Sequence, residues 1–83
     1  MRVVTFTSQA RRDMRRLPHD LSSRIMSKIN QLAEDPASLA NNVTALKGQE
    51  LLRLRVGDWR IVLSLSDDQV TIHRVAPRGS VYR

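Results

Sequence analysis

Cysteine is absent from the 83-residue chain, which excludes a disulfide scaffold, a thiolate nucleophile and any cysteine-based zinc site, and accords with a reducing compartment. Long hydrophobic runs are absent too. No apolar stretch approaches the ~20 residues needed to cross a bilayer, and the N-terminus lacks the charged-then-apolar layout of a secretory signal. Acidic residues are scarce, with eight Asp and Glu against 14 Lys and Arg, for a net charge of +6. The three glycines form no loop that could cradle phosphate, and two widely separated histidines, His19 and His73, with scattered carboxylates supply no metal-ligand spacing. The expectation is a cytoplasmic, soluble protein with no membrane partner, no metal and no cofactor.

What is present fits one domain over residues 1–83. A domain of this size buries only about 60% of the surface its unfolded chain exposes, so its core must be economical or completed by a partner. Apolar residues make up 41% and charged residues 27%, with the aliphatic residues in periodic stretches, as in a folded globular chain. Arginine supplies 12 of the 14 basic residues. Guanidinium is planar, always charged and matched to phosphate by paired hydrogen bonds, so this bias points to phosphate recognition.

Val3-Val4-Thr5-Phe6 reads as a first strand, with Thr7 or Ser8 offering a helix N-cap. Phe6, Ala10, Met14 and Leu17 then fall on one helical stripe, and Arg11, Arg12, Arg15 and Arg16 form a basic flank around it. That flank could touch nucleic acid, receive an acidic partner, or simply face solvent. Pro18 ends the first helix and opens the second, where Leu21, Ile25, Ile29 and Leu32 repeat at helical spacing to about Glu34 while Arg24, Lys28 and Gln31 face away. Residues 36–49 have loop composition, pinned by Leu39 and Leu46.

Glu50 to Val56 and Trp59 to Leu65 alternate around Gly57-Asp58, a two-residue hairpin signal. Asp67-Asp68 makes a second turn into a strand from Val70 to Val75. The order β-α-α-β-β-β predicts an α+β domain, an antiparallel sheet covered on one face by an N-terminal helical hairpin.

The hairpin register follows from the turn. Val56 faces Trp59, Arg55 faces Arg60, Leu54 faces Ile61, Arg53 faces Val62 and Leu52 faces Leu63. Arg53, Arg55 and Arg60 therefore share the face away from the core. Opposed like charges cost from a few tenths to about 1 kcal/mol, and no acidic residue shares the patch, so an anion is expected there. If Asp67-Asp68 is also a two-residue turn, Val62 faces His73 and the histidine joins the arginine face; a slip of one residue would send His73 into the core and Arg74 outward. The tail adds Arg78, Tyr82 and Arg83. Tyr82 either packs the chain end onto the sheet or serves a nucleic acid, by stacking on a base or donating its phenolic proton.

One reaction suits this inventory. RNA carries its own nucleophile in the 2′-hydroxyl, so arginines and one or two titratable groups can cleave it without metal by orienting that oxygen and neutralising the pentavalent phosphorus. The sequence resembles the RelE/ParE superfamily of bacterial toxins in Phe6-Thr7-Ser8-Gln9-Ala10-Arg11-Arg12-Asp13-Met14-Arg15-Arg16-Leu17, in Leu46-Lys47-Gly48, in Leu52-Arg53-Leu54-Arg55-Val56-Gly57-Asp58-Trp59-Arg60-Ile61-Val62, and in Val75-Ala76-Pro77-Arg78-Gly79-Ser80-Val81-Tyr82-Arg83. The RelE-like branch of that family consists of endoribonucleases (mRNA interferases) that cut messenger in the ribosomal A site. The resemblance implies catalytic roles for Arg53, Arg60, Arg78 and Tyr82, with Lys47, Arg55 and Arg83 as substrate-binding cations. A lysine proposed as general base in the family pattern is Leu51 here, which leaves His73 or Tyr82 to serve. The ParE branch shares the fold and poisons DNA gyrase, which is the alternative function.

The family logic also implies mRNA and ribosome as targets, and a neutralising antitoxin held in a hetero-oligomer. For a +6 chain the antitoxin should be short and acidic, folding on contact either over the two helices or across the arginine face.

Overall fold

The computed structural model describes residues 1–46 and 50–77, so that Lys47, Arg78, Tyr82 and Arg83 lie outside the described residues. Val3–Phe6 forms strand β1. Thr7 then takes an extended backbone, and its hydroxyl accepts the Ala10 N–H at 3.1 Å, satisfying one of the helix's orphan donors. Helix α1 runs Ser8–Arg15 and helix α2 runs His19–Glu34. Pro18 sits at the cap of α2, one place earlier than the sequence suggests, and its carbonyl accepts the Ser22 N–H at 3.0 Å. Ile25, Ile29, Leu32 and Ala33 are the buried stripe of α2.

Beyond α2 the chain is more ordered than its composition suggests. A 3-10 turn spans Pro36–Asn42 with Leu39 buried, and Val43–Ala45 forms a short strand, β2, that pairs antiparallel with β3. Three residues are too few to display alternation, so loop composition around Val43 and Thr44 hides the strand. Strands β3 (Leu52–Val56), β4 (Trp59–Leu65) and β5 (Gln69–Pro77) follow. The five-stranded sheet has the order β1-β5-β4-β3-β2, with β1 parallel to β5 and the other pairs antiparallel. The α+β class therefore holds, with one strand more than expected. Leu54, Ile61, Leu63, Val70, Ile72 and Val75 line the core face of the sheet beneath the α2 stripe.

The β3–β4 register is the one derived from the turn, pair for pair. The β4–β5 register needs a correction. Leu65 faces Val70 and Leu63 faces Ile72, but Val62 faces Arg74, because a bulge intervenes between Val62 and Leu63 and makes His73 the extra residue. A bulge leaves no trace in the apolar pattern when the residues on either side of it, here Ile72 and Val75, both return to the core.

The bulge coincides with the end of β1. Pairing of β1 with β5 stops at Phe6 and Ile72, after which the Thr7 N–H donates to the Ile72 carbonyl at 3.0 Å and its hydroxyl donates to the His73 carbonyl at 3.2 Å. From there the outer side of β5 has no strand beside it. Asp13 of α1 takes the strand's place: its Oδ2 accepts the Val75 N–H at 2.9 Å and Arg74 Nε at 3.0 Å, while its Oδ1 accepts Gln9 Nε2 at 2.9 Å. Asp13 is the one buried charged residue among those described, at 7% exposure. Sequence reading misses it, because an acid beside four arginines in a helix looks like a surface residue.

Burial alone would raise the Asp13 pKa, but the Val75 N–H, then the Gln9 amide, then the hydrogen bond and charge of Arg74 together hold it below the ordinary aspartate value. A carboxylate whose folded pKa is depressed contributes stability that is complete above its unfolded pKa and is lost as pH falls through the folded one. Urea denaturation should therefore show Asp13→Ala destabilised by roughly 1–3 kcal/mol at neutral pH, because the buried Val75 N–H loses its acceptor. Asp13→Asn, which keeps an oxygen for that N–H, should lose less and should show a weaker decline in stability on acidification than the natural chain.

Candidate anion-binding face and helix groove

The face of the sheet turned away from the helices is organised in rows across the strands. One row carries Thr44, Arg53, Val62 and Arg74 on successive strands, and the next carries Arg55, Arg60 and Ala76. Same-face rows lie about 7 Å apart along a strand and neighbouring strands about 5 Å apart, so Arg53, Arg55 and Arg60 stand within reach of one small anion. Val62 and Ala76 are buried without belonging to the main core, and form an apolar floor between the arginines. Arg53 and Arg60 are half-buried and Arg55 is exposed.

The arginines differ in how they are held. Arg60 folds back along its own hairpin, donating from Nη1 to the carbonyls of Trp59 at 3.3 Å and Gly57 at 3.5 Å. Arg74, which sequence reading assigned to no site, is committed to Asp13. Among the described residues Arg55 and Arg60 have no carboxylate partner. His73 reaches the Ser64 hydroxyl with Nε2 at 3.2 Å, and Ser64 lies on the arginine face two residues beyond Val62. The structure thus brings Arg53, Arg55, Arg60 and His73 onto one surface, while Lys47, Arg78, Tyr82 and Arg83 lie outside the described residues.

The hairpin turn fixes this geometry. Gly57 has φ +59° and Asp58 does not share its sign, as in a type II′ turn, which favours glycine at its first position. The Arg24 guanidinium of α2 packs over the same turn, so that a Cβ on Gly57 would stand 2.6 Å from its Nη2. The helical pattern placed Arg24 on the outward side of α2 but gave no sign of this contact.

Between the helices lies a different surface. An open groove of about 490 Å³ is lined by Phe6, Met14 and Met26 with Arg11 and Arg15 at its rim, and a second hollow of about 300 Å³ extends past Ser22 and Ser23. Arg11, Arg12, Arg15 and Arg16 are all exposed, and none has a carboxylate partner among the described residues. No group of three or more His, Cys, Asp or Glu capable of holding a metal occurs among the described residues, and no helix there is long and apolar enough to cross a membrane.

A family model described as the ParE toxin of the type II toxin-antitoxin system parDE matches residues 4–82. The chain belongs to this family. It is a toxin of a type II toxin-antitoxin system within the RelE/ParE superfamily. A solved archaeal RelE–RelB complex from Pyrococcus horikoshii is 26% identical, with 96% of this chain and 98% of that one covered and a TM-score of 0.78. The RelB–RelE complex from Methanococcus jannaschii is also 26% identical, covers 94% of each chain and gives a TM-score of 0.71. The E. coli DinJ–YafQ complex shares the fold at 13% identity and a TM-score of 0.79, with 99% of this chain and 98% of that one covered. A search of curated proteins finds no match.

In this ParE-family toxin Arg55 and Arg60 face each other directly across the hairpin. Replacing Arg55 by Thr should stabilise the chain by a few tenths to about 1 kcal/mol, more at low salt than at high, because Arg55 faces a like charge directly. Arg60→Thr should gain less, since it also gives up the hydrogen bonds to the turn carbonyls. Denaturant midpoints at two salt concentrations check both; equal losses for the two variants would contradict the assigned face.

Proposed function

We propose that this toxin is a metal-independent endoribonuclease that cuts mRNA in the ribosomal A site by attack of the ribose 2′-hydroxyl on the adjoining phosphate. The observation that carries the reading is the face itself, where Arg53, Arg55 and Arg60 converge around the buried Val62 and Ala76 without a carboxylate for Arg55 or Arg60. Fixed guanidinium groups neutralise the charge that builds on phosphorus, and the RNA brings its own nucleophile, so the protein has only to position and to move protons. Arg60 is suited to the phosphoryl oxygens because Nη1 of its guanidinium is held by the hairpin carbonyls, which orients the group. Arg78 and Tyr82 are assigned by resemblance to phosphate stabilisation and to base stacking or proton donation, with Lys47 and Arg83 as flanking cations.

Purified toxin incubated with programmed ribosomes should give discrete primer-extension stops that persist in EDTA. Arg60→Ala should lower cleavage by roughly two to three decades, the scale of losing a charge-assisted contact to a developing dianion. Intact message at equimolar toxin would overturn the reading. The family model favours one other reading, inhibition of DNA gyrase by binding. Stoichiometric inhibition of supercoiling with translation unaffected would establish it instead.

The antitoxin is assigned to the helix groove rather than the arginine face. Met14 and Met26 offer a soft, adaptable floor, and Arg11 and Arg15 supply a rim that selects acidic side chains flanking an apolar helix. The solved relatives from P. horikoshii and M. jannaschii are toxin–antitoxin complexes, which supports a protein partner of this kind. Met26→Asp should weaken antitoxin binding at least tenfold, because it puts a charge on an apolar anchor, while leaving RNA cleavage unchanged. Titration calorimetry against the protein encoded beside this one, with a cleavage assay in parallel, checks both parts.

A further inference from the structure

The β-bulge sits in β5 opposite Val62, on the arginine face, and inserts one residue into an otherwise regular ladder. Bulges are concentrated beside active sites, where the extra residue re-aims a side chain. Here the two residues at the bulge are each captured by a different partner. Arg74 is drawn to Asp13 on α1, and His73 is held by Ser64 on β4, Nε2 to Oγ, at 3.2 Å. The backbone at the bulge is fixed from α1 as well, since Thr7 donates to the His73 carbonyl and Asp13 accepts the Val75 N–H. His73 is thus the one imidazole on this face, half-buried, with its backbone and one ring nitrogen both fixed.

We propose that Ser64 is a positioning residue that sets the orientation of His73, and that His73 Nδ1 takes the proton of the attacking 2′-hydroxyl. The inference rests on the RNA-cleavage reading above. The hydroxyl can donate to Nε2 or accept from it; in the tautomer whose Nε2–H donates to Ser64 Oγ, Nδ1 carries the lone pair that takes a proton. The proton of the 2′-hydroxyl passes to Nδ1 as the 2′-oxygen–phosphorus bond forms and the phosphorus–5′-oxygen bond breaks. The departing 5′-oxygen takes a proton from water, leaving a 2′,3′-cyclic phosphate and a 5′-hydroxyl. The charged group beside the ring is Arg74 on β5, bound to Asp13 of α1; Arg53 on β3 stands in the row of Val62 and Arg74, and Arg60 on β4 in the row beyond it, opposite Ala76. A hydroxyl suits this place, because it accepts from neutral imidazole and from imidazolium alike, and adds no negative charge that would compete with the phosphate.

The experiment pairs single-turnover cleavage on programmed ribosomes with imidazole ¹⁵N shifts of the purified chain. In the natural toxin the shifts should show His73 with Nε2 protonated and Nδ1 free. Ser64→Ala should lower kcat by on the order of tenfold, the scale for losing a group that orients a reacting side chain, with KM unchanged. Ser64→Thr should restore kcat. His73→Gln should lower kcat by about a hundredfold or more. Cleavage by the natural chain with Ser64→Ala and His73→Gln undiminished would overturn this inference and leave the ribonuclease reading standing. A natural chain that cuts no message would overturn both, and an undiminished kcat in Ser64→Ala alone would remove the role of Ser64.

Discussion

The Asp13 carboxylate ties helix α1 to strand β5. Asp13, on the buried side of α1, binds the Val75 N–H where β5 has outrun its neighbour β1. Without it, an interior strand of the sheet would present an unpaired N–H under the helix, a group that costs as much to bury unsatisfied as a hydrogen bond is worth. The same carboxylate holds Arg74, so its charge is neutralised at the point where it is buried. The consequence reaches the far face of the sheet, because the segment it fixes is the bulge that presents His73.

The sheet then separates two surfaces with different chemistry. The helix side carries methionines rimmed by arginines, suited to an amphipathic acidic segment, and the open side carries arginines around small apolar residues, suited to phosphate. Both are basic, which attracts anionic partners at long range, but their local shapes differ. A groove with an apolar floor gains from burying a helix face, whereas the flat arginine face offers charge and hydrogen bonds and little apolar area. The proposed RNA and antitoxin sites accordingly lie on opposite sides of one +6 chain.

Much of this was legible in the sequence because tight turns transmit information. Gly57-Asp58 allows one hairpin geometry, so every pair from Val56–Trp59 to Leu52–Leu63 followed by counting, and with it the convergence of Arg53, Arg55 and Arg60. The α2 stripe followed equally from period. What escaped were features with no period: the β2 strand of Val43–Ala45, the bulge at His73, and Asp13, whose role depends on where β1 stops rather than on its neighbours in the chain. The Ser64–His73 contact was hidden for the same reason, since the turn at Asp67-Asp68 predicts a straight ladder.

On the proposed reading RNA lies on the arginine face of the sheet and not on the helices. Amide and side-chain chemical shifts of the ¹⁵N-labelled toxin, titrated with a short RNA whose attacking 2′-hydroxyl is replaced by hydrogen so that it binds uncut, test this directly. Perturbations are expected at Arg53, Arg55, Arg60, Val62, Ser64, His73 and Ala76, with Met14, Arg15 and Met26 unmoved. Perturbations confined to Phe6, Arg11, Met14 and Met26 would contradict it.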